Sequence, residues 1–372
     1  MLNAKLAVAM AMVGAVAGTV NAAAFTPGNV AVYRVDGSGV ALSNTGSAVF
    51  VDEYTPTGVL VQSIAMPSVS ASSAPALIAS GTATSEGFLS RSADGLSLVL
   101  AGYNRSLGGA GNVSGTASAT VGRSVARLTA AGVTSISSFE VYSGGTIRGV
   151  ASTDGDRIWT TGSTGGVFTG TLSGGSLTNI GLVSGVTNVT NTRTIQIVNS
   201  QLVISLAQGS LSRVGVVAEG LPAAGPSTFA GLPGTPTAGS TYGTLLLDRD
   251  ATVAGVDTLY IVDDSASTGG LFKFSFDGTT WTARGSSVLT GTRGLTGGVS
   301  GDNAALFITN GGSLQSFVDT AAFNQNLAGS FASLASAPSF AQFRGIALAP
   351  IPEPAALGLL APAALLLARR RK

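Results

Sequence analysis

FLSRSADGLSLVLAGY (88–103) and IRGVASTDGDRIWTTGS (147–163) follow one plan. Each opens on a strand of small residues, turns through Asp-Gly, and runs into a second apolar strand. YGTLLLDRDATVAGVDTLYIVDDS (242–265) and RGLTGGVSGDNAALFITNG (293–311) repeat it. RTIQIVNSQLVISLA (193–207) is a worn copy, and FRGIALAP (343–350) is the first strand of another. Third strands follow in GGVFTGTL (165–172) and GGLFKFSFDGTTW (269–281). The markers Phe88, Arg148, Arg193, Tyr242, Arg293 and Arg344 stand 60, 45, 49, 51 and 51 residues apart. A period near fifty with about four short strands is the signature of a β-propeller blade. Gly and Ala in the first strand of each unit suit a crowded propeller centre.

The last unit stops after one strand. The segments NVAVYRVDG (29–37), SAVFVDEY (47–54) and VLVQSIAM (59–66) can supply the rest. That closes the ring with strands from both ends of the chain and leaves no open sheet edge around it. The expectation is an all-β, six-bladed propeller over residues 25–350. Seven blades follow if 67–85 or 208–240 hides another, and a β-sandwich or β-solenoid is the competing architecture. LPAAGPSTFAGLPGTPTAG (221–239) holds four prolines and reads as a surface loop within the third or fourth blade, because the period continues across it.

Composition fits a turn-rich folded body. Of 372 residues, 45% are hydrophobic, 52 are glycine and only 10% are charged, against about 25% in ordinary globular chains. There is no Cys and no His. Thiolate and imidazole metal sites are therefore excluded, as are Ser-His-Asp and Cys-His catalysis and any disulfide.

Both ends read as addresses. MLNAKLAVAMAMVGAVAGTVNAAAF (1–25) has a single charge at Lys5, an apolar run from Leu6 to Val20 and small residues at its end. This is the pattern of a secretory signal peptide, here 1–24. Without the ends, the body carries 14 basic and 17 acidic residues, and Lys273 is its only lysine. Nothing in it makes a basic footprint for nucleic acid.

The chain closes on IPEPAALGLLAPAALLLARRRK (351–372). The apolar run Ala355–Ala368 would reach about 21 Å as a helix, short of the ~30 Å hydrocarbon core. Arg369, Arg370, Arg371 and Lys372 would hold its end on the cytoplasmic side. Pro352 and Pro354 keep the preceding segment extended. Pro352-Glu353-Pro354, a hydrophobic run and a terminal Arg cluster, with a signal peptide at the other end, resemble the PEP-CTERM sorting signal of Gram-negative bacteria. Pro362 within the run departs mildly from a good helix. The resemblance covers these 22 residues only. It implies processing by exosortase, a membrane-embedded protease or transpeptidase, transient inner-membrane association, and export to the cell surface or beyond. It also implies an association with exopolysaccharide and extracellular matrix. A plain C-terminal membrane anchor is the alternative.

Candidate chemistry in the body is sparse. Asp248, Asp250 and Asp257 flank one turn and form a candidate Ca²⁺ site, since Ca²⁺ takes six to eight oxygen ligands. The competing reading is that Asp shapes turns by accepting from nearby backbone N–H groups. No other cofactor is expected. Asp52 and Glu53 are adjacent in a strand, so they face opposite sides and cannot converge on a glycosidic bond. Arg148, Arg293 and Arg344 each precede Gly. They either ring the channel to meet an anionic saccharide or, the favoured reading, make a repeated contact that stabilises each blade. GYNRSLGGAGNVSG (102–115) lacks the ending of a phosphate loop and reads as a hairpin tip. Trp159 and Trp281 read as blade packing. The first functional expectation is a non-catalytic, structural or adhesive surface protein. The alternatives are a carboxylate- and Ca²⁺-dependent exported enzyme acting on a polymer, and a propeller binding a small ligand at its channel.

Overall fold

The structure is a computed structural model that describes residues 23–71 and 74–352. Most of the signal segment and all of the sorting tail after Pro352 lie outside the described residues. Among the described residues there are six four-stranded antiparallel sheets and one short hairpin, Val183–Ser184 with Thr187–Asn188. A single 3₁₀ turn, Leu172–Gly174, is the helical content of these residues. No helix among them is long and apolar enough to cross a membrane.

The sheets are the six blades of a propeller. Their inner strands are Leu89–Arg91, Ile147–Ser152, Thr192–Val198, Thr241–Leu247, Gly294–Ser300 and Ala341–Leu348, for blades 1 to 6 in order. In blades 1 to 5 the next three strands follow in sequence outward. Blade 6 is closed as the repeat predicts. Ala341–Leu348 pairs with Val30–Asp36, which pairs with Ala48–Tyr54, which pairs with Leu60–Ala65. Among the described residues there is no seventh blade. Residues 208–240 supply the two outer strands of blade 3, Val214–Val217 and Phe229–Gly231. The proline-rich segment 221–239 is therefore not wholly a loop. It carries an outermost strand, with Phe229 buried against blade 3.

Alternation along each strand explains why charge is scarce. Every blade is covered on both faces, so both sets of side chains must be apolar. Leu259 and Ile261 pack toward blade 3, while Tyr260 and Val262 pack toward blade 5. Val30 and Val32 meet blade 5, while Ala31, Tyr33 and Val35 meet blade 1. The result is six separate hydrophobic cores, one at each junction between blades. Trp159 and Trp281 are buried in two of them, as packing residues. The Gly-rich loop after Tyr103 is more than a hairpin tip, because Val113 packs with Ile78, Tyr103 and Val121.

One buried cluster of charges is paired within this body. Lys273 Nζ lies 2.7 Å from Asp319 Oδ2, and both side chains are fully buried between blades 4 and 5. Tyr260 donates to the same oxygen at 2.6 Å, and Arg249 Nη1 approaches it at 3.2 Å. Burial alone would raise the Asp319 pKa. Hydrogen bonds from Lys273, Tyr260 and the Ala328 amide overcome that and hold it below the ordinary carboxylate range.

Candidate functional site

The six inner strands surround the propeller axis, and their packing begins with glycine. Gly149, Gly243, Gly294 and Gly345 follow the markers of blades 2, 4, 5 and 6. A Cβ on Gly294 would sit 2.5 Å from the Arg344 carbonyl oxygen; one on Gly345 would sit 2.6 Å from that of Gly87. The amides use the same closeness. Gly243 N–H donates to Arg293 O at 2.9 Å, Gly345 N–H to Gly87 O at 2.9 Å and Phe88 N–H to Arg148 O at 3.0 Å. In blades 2, 4, 5 and 6 the inner strand thus meets the next through a glycine, while Leu89 and Thr194 take the equivalent place in blades 1 and 3.

The six markers form one layer across the end of the channel where the inner strands begin. Phe88 and Tyr242 come from opposite blades, yet their ring centroids are 5.6 Å apart, so they meet on the axis. Arg193 lies over the Tyr242 ring at 3.9 Å from its centroid. It also donates to Thr241 O at 3.1 Å in the next blade. Arg148 does the same one blade earlier, to Thr192 O at 3.1 Å and to Asn191 Oδ1 at 2.6 Å. Burial pushes the Arg148 pKa down to about 10, and Arg193 beside it contributes. Arg293 pairs with Asp264 at 2.7 Å. Arg344 donates to Ser80 O at 2.7 Å and to Ala83 O at 2.9 Å, and pairs with the buried Glu86 at 3.3 Å. The blade-stabilising reading of these arginines therefore holds. They bridge blades and seal one mouth.

Beyond this layer the axis opens. A cavity of about 290 Å³ is lined by the inner strands of all six blades. Burial falls toward the far ends of the inner strands of blades 1, 3, 4 and 5. Thr192–Val198 and Thr241–Leu247 begin fully buried and finish half-buried, and Gly294–Ser300 finishes exposed. The far mouth is therefore the open one. The chain leaves there too, since Leu348 lines the cavity and the Ile351 amide donates to Gly95 O at 2.8 Å. The lining mixes aliphatic residues and glycines with Ser90, Ser92, Thr194, Gln196, Thr244 and Thr296 as neutral polar groups and Arg91 and Arg293 as cations, and the surface it exposes is more polar than apolar. No Asp or Glu is part of it.

The carboxylates singled out from sequence lie elsewhere. Asp257 is fully buried and accepts the backbone amides of Arg249 at 2.9 Å and Asp250 at 2.6 Å with one oxygen, and the Thr258 hydroxyl at 2.6 Å with the other. Asp250 accepts the Thr252 hydroxyl at 2.6 Å and its amide at 2.9 Å. Asp248 is exposed. These contacts match the turn-shaping use of Asp. Among the described residues no group of three acidic side chains is placed to hold a metal. Asp52 and Glu53 do face opposite ways. Asp52 accepts from Arg34 at 2.6 Å, whereas Glu53 accepts from Asn29 at 2.7 Å and Gln62 at 2.7 Å. Of the sorting motif only Pro352 is among the described residues; Glu353, Pro354 and the basic terminus are not. Sequence reading missed Arg91, which lies in the first repeat quoted above but breaks no pattern.

No family model matches the chain, and no curated protein matches it. Solved structures of similar fold do. A periplasmic gluconolactonase of Pseudomonas aeruginosa is 13% identical, with a TM-score of 0.42 over 84% of this chain and 99% of that one. A gluconolactonase of Xanthomonas campestris is 12% identical, with a TM-score of 0.45 over 85% and 89%. TolB of Acinetobacter baumannii is 11% identical, with a TM-score of 0.45 over 87% and 67%. The likeness is one of fold. The expectation of a non-catalytic, structural or adhesive protein that is no enzyme is withdrawn: two of these three propellers are themselves named as enzymes, and the likeness to this chain reaches only the fold.

Proposed function

We propose that this chain is an exported propeller that takes a small molecule into its central channel, with a C-terminal tail that serves for sorting. The observation that carries the first part is the channel itself: sealed at one end by the Phe88–Tyr242 layer and open at the other. Its volume lies near the lower end of the roughly 300–1,000 Å³ typical of ligand sites. Its lining of hydroxyls, an amide and two guanidinium groups among aliphatic residues offers convergent polar groups to orient a small polar ligand.

The export and sorting part rests on the two ends of the sequence. The apolar run after Lys5 has the form of a cleaved leader. The run Ala355–Ala368, followed by four positive charges, is too short for a comfortable span and carries its own stop.

Two experiments test these parts separately. Thermal shifts are measured for the protein against a panel of small polar compounds, alongside Thr296→Trp, which fills the cavity. Ligand-induced shifts that vanish in Thr296→Trp are the expected result; shifts that survive the filling place the ligand elsewhere and sink the channel reading. For the tail, native-host cells making the protein or a Glu353→Ala, Pro354→Ala version are fractionated. Identical mass and location for both would overturn the sorting role.

A further inference from the structure

Of the two cations that line the channel, one has almost no partner. Arg293, the other charged lining residue, is neutralised by Asp264 at 2.7 Å. Arg249, Lys273 and Arg344 each have a carboxylate within 3.3 Å. Arg123 has none but is fully enclosed by carbonyls, donating to Thr116 O and Tyr142 O at 2.9 Å and Gly145 O at 2.8 Å. Arg91 is half-buried at the channel wall, and its one protein acceptor among the described residues is the Ala349 carbonyl at 3.4 Å. No carboxylate of the described residues pairs with it. A guanidinium offers five donors, so most of its capacity is unspent. Withdrawing such a charge from water is costly without a partner, and burial already lowers its pKa.

The neutral groups nearby narrow the partner. Gln196 spends its amide donor on the Thr244 hydroxyl at 2.7 Å and carbonyl at 3.0 Å, which leaves its own carbonyl as an acceptor. Thr296 adds a hydroxyl to the lining, and Ile197, Leu245 and Leu348 supply apolar wall. An acceptor-rich anion suits Arg91; a hydroxyl donor suits Gln196.

Resting on the channel reading above, we propose that the ligand is a small hydroxylated monocarboxylate whose carboxylate is held by Arg91. A planar, bidentate carboxylate matches the guanidinium fork better than it matches an ammonium.

The test is titration calorimetry on the protein with lactate, acetate, inorganic phosphate and glycerol, repeated for Arg91→Gln, Arg91→Lys and the cavity-filled Thr296→Trp. Lactate should bind best, acetate less well and glycerol least. Arg91→Gln should weaken lactate by at least about tenfold, the loss of one charge-assisted hydrogen-bond pair. Arg91→Lys should recover only part of it. Binding of lactate undiminished by Arg91→Gln, binding of phosphate alone, or binding of none of the anions overturns the assignment. Glycerol bound equally by the protein and Arg91→Gln, yet lost in Thr296→Trp, would sink the anion while keeping the channel. Lactate binding that persists in Thr296→Trp would sink the channel itself.

Discussion

The two ends of the channel are built from the same six strands and behave oppositely. At the sealed end, four arginines and two aromatics stand shoulder to shoulder, and each guanidinium finds a carbonyl, a carboxylate or an aromatic face. At the open end, three residues along from Phe88, Arg91 has a single long contact. The contrast shows that cation placement in this fold is decided by what the neighbouring blade offers. The sealed end offers backbone carbonyls, of Thr192 to Arg148, of Thr241 to Arg193 and of Ser80 to Arg344. The open end offers mostly space. Charge in the first case is structural, and in the second it is available.

Changes at the sealed end should cost stability; changes at the open end should not. The largest effect is expected for Gly294→Val. Its Cβ would meet the Arg344 carbonyl oxygen at 2.5 Å, and overpacking against backbone should cost about 5 kcal/mol, read as a collapsed denaturant midpoint. A midpoint shift under about 1 kcal/mol would mean the ring can breathe.

Asp319→Asn should follow, at about 3–4 kcal/mol, because it leaves Lys273 and Arg249 buried without their counter-charge. Its pH signature is specific. The folded-state pKa of Asp319 is held below the ordinary value. Its stabilisation is therefore complete above about pH 4 and is lost as pH falls through the folded value. The variant should show a shallower acid loss than the parent in chemical denaturation. Equal slopes would remove Asp319 from the account of acid stability.

Arg344→Met should cost about 2–3 kcal/mol, since it abandons the buried Glu86 and the Ser80 carbonyl. Arg91→Gln is expected to change stability by less than about 0.5 kcal/mol without ligand. A drop as large as that of Arg344→Met would erase the difference between the two ends.

Much of the architecture was legible because a ring imposes itself on sequence. The markers recur near fifty residues, the glycines behind them are forced by backbone approach, and the incomplete last unit demands strands from the start of the chain. Blade 3 hid its outer strand because Phe229–Gly231 is three residues long and sits among prolines that ordinarily signal a loop. The channel site was harder to read. Arg148 and Arg91 lie on equivalent strands of adjacent repeats, and nothing in residue type separates a bridging arginine from an unpaired one. Whether one of the sealing arginines is satisfied depends on carbonyls and carboxylates 29 to 264 positions away, a distance at which repeat spacing is silent. The turn aspartates offered two readings from sequence, because a metal loop and a backbone-capping loop use the same residues.

The closure of blade 6 has a consequence in time as well as in space. The strand Val30–Asp36 emerges from the ribosome early, but one of its edges is paired only by Ala341–Leu348. The first blade-forming segment made is thus completed by the last. Until then the nascent polypeptide carries a bare edge, and a chain that stops short of residue 341 can never cover it. A C-terminal truncation should therefore behave as an aggregating species rather than as a slightly weaker propeller, giving quality control a clean way to tell finished molecules from unfinished ones.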